Sequence, residues 1–183
     1  MLSALITGQI DKLERLWGYD AGYLRLVLRA NPMSALKFGM VSQMADRKAL
    51  PAEVIAAAKI VGTLAEDCGP CTQIAIDMAA AEGVAPEVLR AILAGDETQM
   101  GETAVLGWRF ARASLARDLE AVDPLREEIV RRWGEAGLVA VSLSLTAARM
   151  YPTLKYALGY GRACSKVTVG GIAAPVTHVP IAA

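Results

Sequence analysis

Apolar positions recur along this chain at helical spacing, and no segment alternates with the period of a strand. A first helix is predicted over 2–17, closed by Gly18. Asp20 offers a cap for a second, which carries Leu24, Val27 and Leu28 as far as Asn31-Pro32. There the residue before proline leaves the helical region. A third helix is predicted from 32 to about 45. Pro51 and Glu53 suit the first turn of a fourth, in which Val54, Ala58, Val61 and Ala65 repeat at helical spacing. A Cys-Gly-Pro-Cys segment at 68–71 interrupts the pattern, which resumes at Ile74, Ala75, Met78 and Ala79 and stops at Gly83. A short helix over 86–93, a break at Gly95-Asp96 and a longer helix through Trp108 and Leu115 follow. Asp123-Pro124 reads as a cap and first-turn proline for a helix ending near Gly134. Another covers 138–150, with Pro152 beginning or kinking the last. From 164 to 183 the period gives way to Gly170-Gly171, Pro175 and Pro180, which reads as an irregular arm. The expected fold is all-α: one helical domain over 1–163 and the arm over 164–183.

Composition narrows the function classes. Nineteen Lys and Arg balance nineteen Asp and Glu, so there is no basic excess of the kind that nucleic acid demands. No stretch reaches the roughly 18 uncharged apolar residues of a membrane span; 137–148 is too short and carries Ser142, Ser144 and Thr146. The N-terminus has no basic region ahead of its apolar residues, so the expected place is the cytoplasm. Three cysteines in such a chain favour thiols or one redox pair over a disulfide scaffold.

Cys68 and Cys71, three residues apart, fall on one side of a helical turn, within reach of a disulfide. If Asp67 caps the following helix, both sit in its first turn, where free amides and the helix dipole favour the thiolate. Glu66 and Asp67 oppose that, because nearby negative charge disfavours ionising a thiol. The middle Gly-Pro invites a thioredoxin reading, but that motif follows a buried strand, whereas 54–65 is alanine-rich and helical in period.

A helix leading into a Cys-x-x-Cys that opens the next helix resembles the alkylhydroperoxidase D-like and carboxymuconolactone decarboxylase-like family. Residues 56–83, the segment from Pro86 through Leu89-Arg90-Ala91 to Gly95-Asp96, and the Glu135-Ala136-Gly137 joint carry the likeness, over about 50–163. The resemblance implies a compact multi-helix fold with a helical hairpin around the dithiol. It also implies a thiol-dependent peroxidase or disulfide reductase that needs no cofactor. Its partners would be a peroxide or disulfide substrate and a thiol reductant. The catalytic pair would be Cys68 and Cys71, with the second cysteine attacking first, whereas helix geometry alone favours Cys68 as the more exposed. The family's histidine position falls on Ala75, its glutamate on Ala56, and a further histidine on Pro70. Peroxidase activity is therefore expected to be weak, because reduction of a peroxide also needs a proton for the leaving oxygen. Glu53, one turn before Ala56, is a candidate substitute.

Other readings stand beside this one. The pair could be two small apolar residues packed inertly in a non-catalytic helical oligomer, or the chain could belong with the decarboxylase-type lyases. A metal site lacks ligands, since the one histidine, His178, lies in the arm. His178 reads as a surface residue, the other reading being that it reaches a neighbouring subunit's site as a base. Cys164 reads as an incidental thiol. Trp108, Phe110 and Trp133 read as core. Arg126, Arg131 and Arg132 read as a solvated face, and Glu66-Asp67 as a helix cap. With 54% hydrophobic residues and only 5% aromatics, extended helical faces are expected to be buried between copies of the chain. Light scattering at micromolar concentration is accordingly expected to report a multiple of 19.4 kDa, and a clean monomer contradicts this.

Overall fold

The computed structural model describes residues 2–161 and 167–176. Its helices are α1 (Leu2–Trp17), α2 (Gly22–Ala30), α3 (Pro32–Gly39), α4 (Ala52–Ala65), α5 (Gly69–Ala81), α6 (Pro86–Ala94), α7 (Glu97–Ala116) and α8 (Leu119–Ala157). A 3₁₀ turn at Val41–Gln43 follows α3, and strands β1 (Thr168–Val169) and β2 (Ile172–Ala173) form one hairpin. The all-α expectation holds among the described residues, apart from that hairpin. No helix among them is long and apolar enough to cross a membrane.

The punctuation read from the sequence works as local chemistry. Gly18 and Gly95 take positive φ, as glycine does without strain. Gly95 closes α6, and the side chain of Asp96 accepts from the Thr98 amide to open α7. Asn31 caps α3 by accepting from the amides of Met33 and Ser34, with Pro32 in the first turn. Asp20 stands one residue before the cap position of α2, which is Ala21, and accepts from the Gly22 amide at 2.9 Å.

Three expectations are corrected. The third helix stops at Gly39 rather than near 45, and the Ser42 hydroxyl donates to the Gly39 carbonyl, competing with the helical ladder. The seventh inter-helix boundary lies at Asp118, which accepts from the Ala121 amide and caps α8. Asp123 instead pairs with Arg126, and Pro124 is carried inside the helix, where the one carbonyl it strands belongs to exposed Glu120. Gly134 breaks the helical geometry (φ 69°, ψ −179°) as expected, so α8 is two helical segments joined at a kink, the second running on through Pro152 to Ala157. Finally, part of the presumed irregular arm is ordered. Gly170 and Gly171 both take positive φ, as a tight primed turn requires, and pair Thr168 with Ala173 and Val169 with Ile172.

Helix α4 is the centre of the main core. Every residue from 54 to 65 except Lys59 is buried, and the helix packs against α5, α6, α7 and α8. Small residues allow that crowding. A β-carbon added at Gly107 of α7 would meet the Val54 carbonyl oxygen at 2.8 Å, while one at Gly62 would meet Ala148 and Leu145 of α8, the Leu145 carbonyl oxygen included, no closer than 3.2 Å. Val167 and Val169 bring the hairpin into the same core, and the Gln73 side chain accepts from the Thr168 amide (2.7 Å) and donates to its carbonyl (3.1 Å).

A second cluster lies apart from the first. Ile10, Tyr19, Ala21, Tyr23 and Leu28 pack against Ile74 of α5 and against Tyr151, Leu154 and Leu158 near the end of α8. Phe38 meets Tyr151 edge-on at 4.9 Å. Arg25 ties α2 to α1 through Asp11 (2.7 Å) and Glu14 (2.5 Å). Gly107→Ala is expected to destabilise the fold by about 1–3 kcal/mol, because rigid backbone must move, whereas Gly62→Ala costs less. Denaturant midpoints of the two variants check this ordering.

Candidate active site

The dithiol occupies the turn between α4 and α5, and α8 grips that turn. Glu66 ends α4, and its carboxylate accepts from the Arg149 guanidinium at 2.6 Å and from the Thr153 hydroxyl at 3.3 Å. Asp67 turns the chain with φ 49°, a conformation that favours glycine, and the Tyr156 hydroxyl donates to its carbonyl at 2.6 Å. Neither carboxylate caps α5. Cys68 itself holds the cap position without a side-chain cap bond, and Gly69 and Pro70 open the helix. The Cys68 carbonyl accepts from both the amide (2.8 Å) and the hydroxyl (3.0 Å) of Thr72. Cys71 therefore lies in the first turn as expected, whereas Cys68 stands at the cap just before it.

Cys68 and Cys71 are joined as a disulfide, with Cα atoms 5.2 Å apart. Their exposures are 4% and 3%, so accessibility does not distinguish them, contrary to the expectation of a more exposed Cys68. Glu66, which was expected to oppose a thiolate, is neutralised by Arg149.

The groups around the sulfurs come from distant parts of the chain. The Tyr19 hydroxyl lies 3.7 Å from Cys71 Sγ and 3.4 Å from the Tyr23 hydroxyl. The two rings meet edge-on. The Lys155 ammonium stands 5.1 Å from the centre of the Tyr19 ring, and the residue is only 3% exposed. Burial raises the ionisation of Tyr19 and Tyr23 above the ordinary phenol value, so both stay protonated at neutral pH. Burial lowers Lys155, with the nearby Asp20 charge opposing the shift.

These three residues escaped the sequence reading. Tyr19 and Lys155 lie 52 and 84 positions from Cys71 and carry no motif; Tyr23 reads only as part of an apolar face of α2. The expected family positions supply no acid or base. Ala56 and Ala75 are buried apolar residues, and Glu53 stands in the first turn of α4, roughly 18 Å along the helix from its other end. Cys164 and His178 lie outside the described residues. Trp108 and Phe110 are core and Trp133 packs on it. Arg126, Arg131 and Arg132 pair with acidic neighbours at the surface. Among the described residues no group of three His, Cys, Asp or Glu could hold a metal ion. In comparisons with protein-family models, curated proteins and solved structures, no match to this chain was found.

The buried lysine has a measurable consequence. Between its lowered folded value and the ordinary 10.5, the unfolded chain holds a proton that the folded chain does not. Stability therefore rises with pH across that window and is lost as pH falls through the folded value. The raised Tyr19 and Tyr23 act oppositely, but only from about 10.0 upward, where unfolded phenols ionise. Lys155→Met is expected to flatten the rise below that point, read from denaturant midpoints at a series of pH values.

Proposed function

We propose that the chain is a thiol-dependent peroxidase or disulfide reductase, related to the alkylhydroperoxidase D-like proteins, with Cys68 and Cys71 as its redox couple. The observation that carries the reading is the pairing of the two cysteines across the first turn of α5, with a buried hydroxyl 3.7 Å from Cys71. Residues used only as packing would not need a polar partner there.

In this mechanism Cys71 ionises and its sulfur attacks the distal oxygen of a hydroperoxide. The O–O bond breaks, and the proton given up by the thiol ends on the leaving oxygen, giving an alcohol and a Cys71 sulfenic acid. Cys68 then attacks that sulfur, releasing water and forming the disulfide. A dithiol reductant restores both thiols, becoming a disulfide itself. Burial of both sulfurs favours a small oxidant over the disulfide of a folded protein. The buried alanines at 56 and 75 favour a weak peroxidase, slower than relatives that hold a Glu and His there.

Peroxide consumption coupled to a small dithiol tests the reading. Wild type is expected to turn over slowly, and Cys68→Ser or Cys71→Ser to fall to the uncatalysed background. Activity that survives both substitutions places the chemistry elsewhere. Complete inactivity of folded wild type toward peroxides and small disulfides alike overturns the proposal in favour of an inert pair.

A further inference from the structure

We infer that Tyr19 is a catalytic hydrogen-bond donor to the Cys71 thiolate, and that Lys155, packed on the ring of Tyr19, is its positioning residue. This rests on the reading that the disulfide opens and closes. The Tyr19 hydroxyl has two polar neighbours among the described residues, Tyr23 Oη at 3.4 Å and Cys71 Sγ at 3.7 Å. A disulfide sulfur carries no proton, so in that contact only the phenol can donate. The bond is weak while the sulfurs are joined and strengthens when Cys71 becomes an anion, because bonds to charged acceptors are roughly twice as strong as neutral ones. The contact thus favours the open state of the couple.

The reductive step then runs as follows. The thiolate of a small dithiol attacks Cys68 Sγ, forming a mixed disulfide with Cys68 and breaking the Cys68–Cys71 bond. The electron pair of that bond leaves on Cys71 Sγ, which accepts from the Tyr19 hydroxyl. The second thiol of the reductant, as thiolate, displaces Cys68, and the reductant departs as a cyclic disulfide. Two electrons have moved to the protein; of the two protons lost by the reductant's thiols, one returns to Cys68 and the other stays in solvent while Cys71 remains a thiolate. Tyr19 stays a phenol throughout, consistent with burial raising its ionisation.

Among the described residues the acceptor that competes for the Tyr19 proton is the Tyr23 oxygen, and rotation of the Tyr23 hydroxyl lets it donate to Tyr19 instead. Tyr23 is a buried phenol and Tyr151 a partly buried one near Tyr19, and Asp20 is the nearby carboxylate. Glu66 is paired with Arg149, Asp77 accepts from Gln73, and the Asp67 carbonyl is held by Tyr156. Among the described residues, Lys155 supplies the one cation placed over the Tyr19 ring. A cation there withdraws electron density from the phenol and makes its hydroxyl a better donor.

The test uses the full chain with Cys68→Ser and Cys164→Ser, leaving Cys71 as the sole thiol. The carbon-13 shift of its labelled β-carbon reports ionisation without asking a reagent to reach a buried sulfur. Tyr19→Phe is expected to raise the Cys71 midpoint by about one pH unit, a fall of about tenfold in the ratio of thiolate to thiol. Tyr23→Phe, which leaves the Tyr19 contact in place, moves it less. Lys155→Met raises it by a smaller step that Lys155→Arg restores. Fluorotyrosine placed at position 19, more acidic and of nearly unchanged shape, lowers it and keeps the test available should Tyr19→Phe fail to fold. A midpoint unmoved by Tyr19→Phe, or unmoved by fluorotyrosine, overturns the inference; so does an equal shift from Tyr23→Phe. Loss of the Lys155→Met effect removes the positioning role. The outcome is separable from turnover: a shifted midpoint in an inactive protein refutes the enzyme and keeps the donor, while an unshifted midpoint with cysteine-dependent turnover does the reverse.

Discussion

Helix α4 has no face to give to water, and most of the architecture follows from that. From Val54 to Ala65 only Lys59 escapes full burial, so the helix must be enclosed on every side, and α5, α6, α7 and α8 enclose it. Burial of an all-round apolar helix is favoured by the hydrophobic effect, but only if its neighbours approach closely enough to leave no voids. The alanines of α4, with Gly62 and Gly107, permit that approach. The end of such a helix is then a fixed point. Its carbonyls and the following turn cannot drift, and α8 pins them further through Arg149, Thr153 and Tyr156. Cys68 and Cys71 are attached to that fixed point.

The second cluster gives the site its chemistry. Helices α1 to α3 pack on α5 and on the end of α8, and their contact brings the Tyr19 hydroxyl to Cys71 and the Tyr19 ring to Lys155. Holding a lysine there costs stability, since burial disfavours its charge. A burial that costs free energy and gives no salt bridge among the described residues is hard to account for by packing alone. Under the proposed function the same burial places a cation behind the only hydroxyl that touches the reactive sulfur among the described residues.

Helical period, the glycine at 95, the Asn31-Pro32 stop and the break at Gly134 were legible because they depend on residues close in the chain. The same holds for the cysteine pair at the start of α5. The errors arose where tertiary partners decide. Asp67 looks like a cap, but Tyr156 from α8 holds its carbonyl and the cap passes to Cys68. Residues 168–173 look irregular because a two-residue strand has too little sequence to show a period, and Gln73 of α5 completes its hydrogen bonding. The tyrosine–lysine group was invisible for the same reason: its members meet only after the two clusters have formed.

The account stands on Cys68 and Cys71 being a working couple rather than a buried staple. Equilibrating the protein across a series of glutathione buffers, then quenching and counting free thiols at each position by mass, measures this directly. A single, fully reversible two-electron transition confined to Cys68 and Cys71, reached identically from the oxidised and reduced sides, is the predicted result. A pair that stays locked in one state across the whole series while the fold remains intact would contradict it.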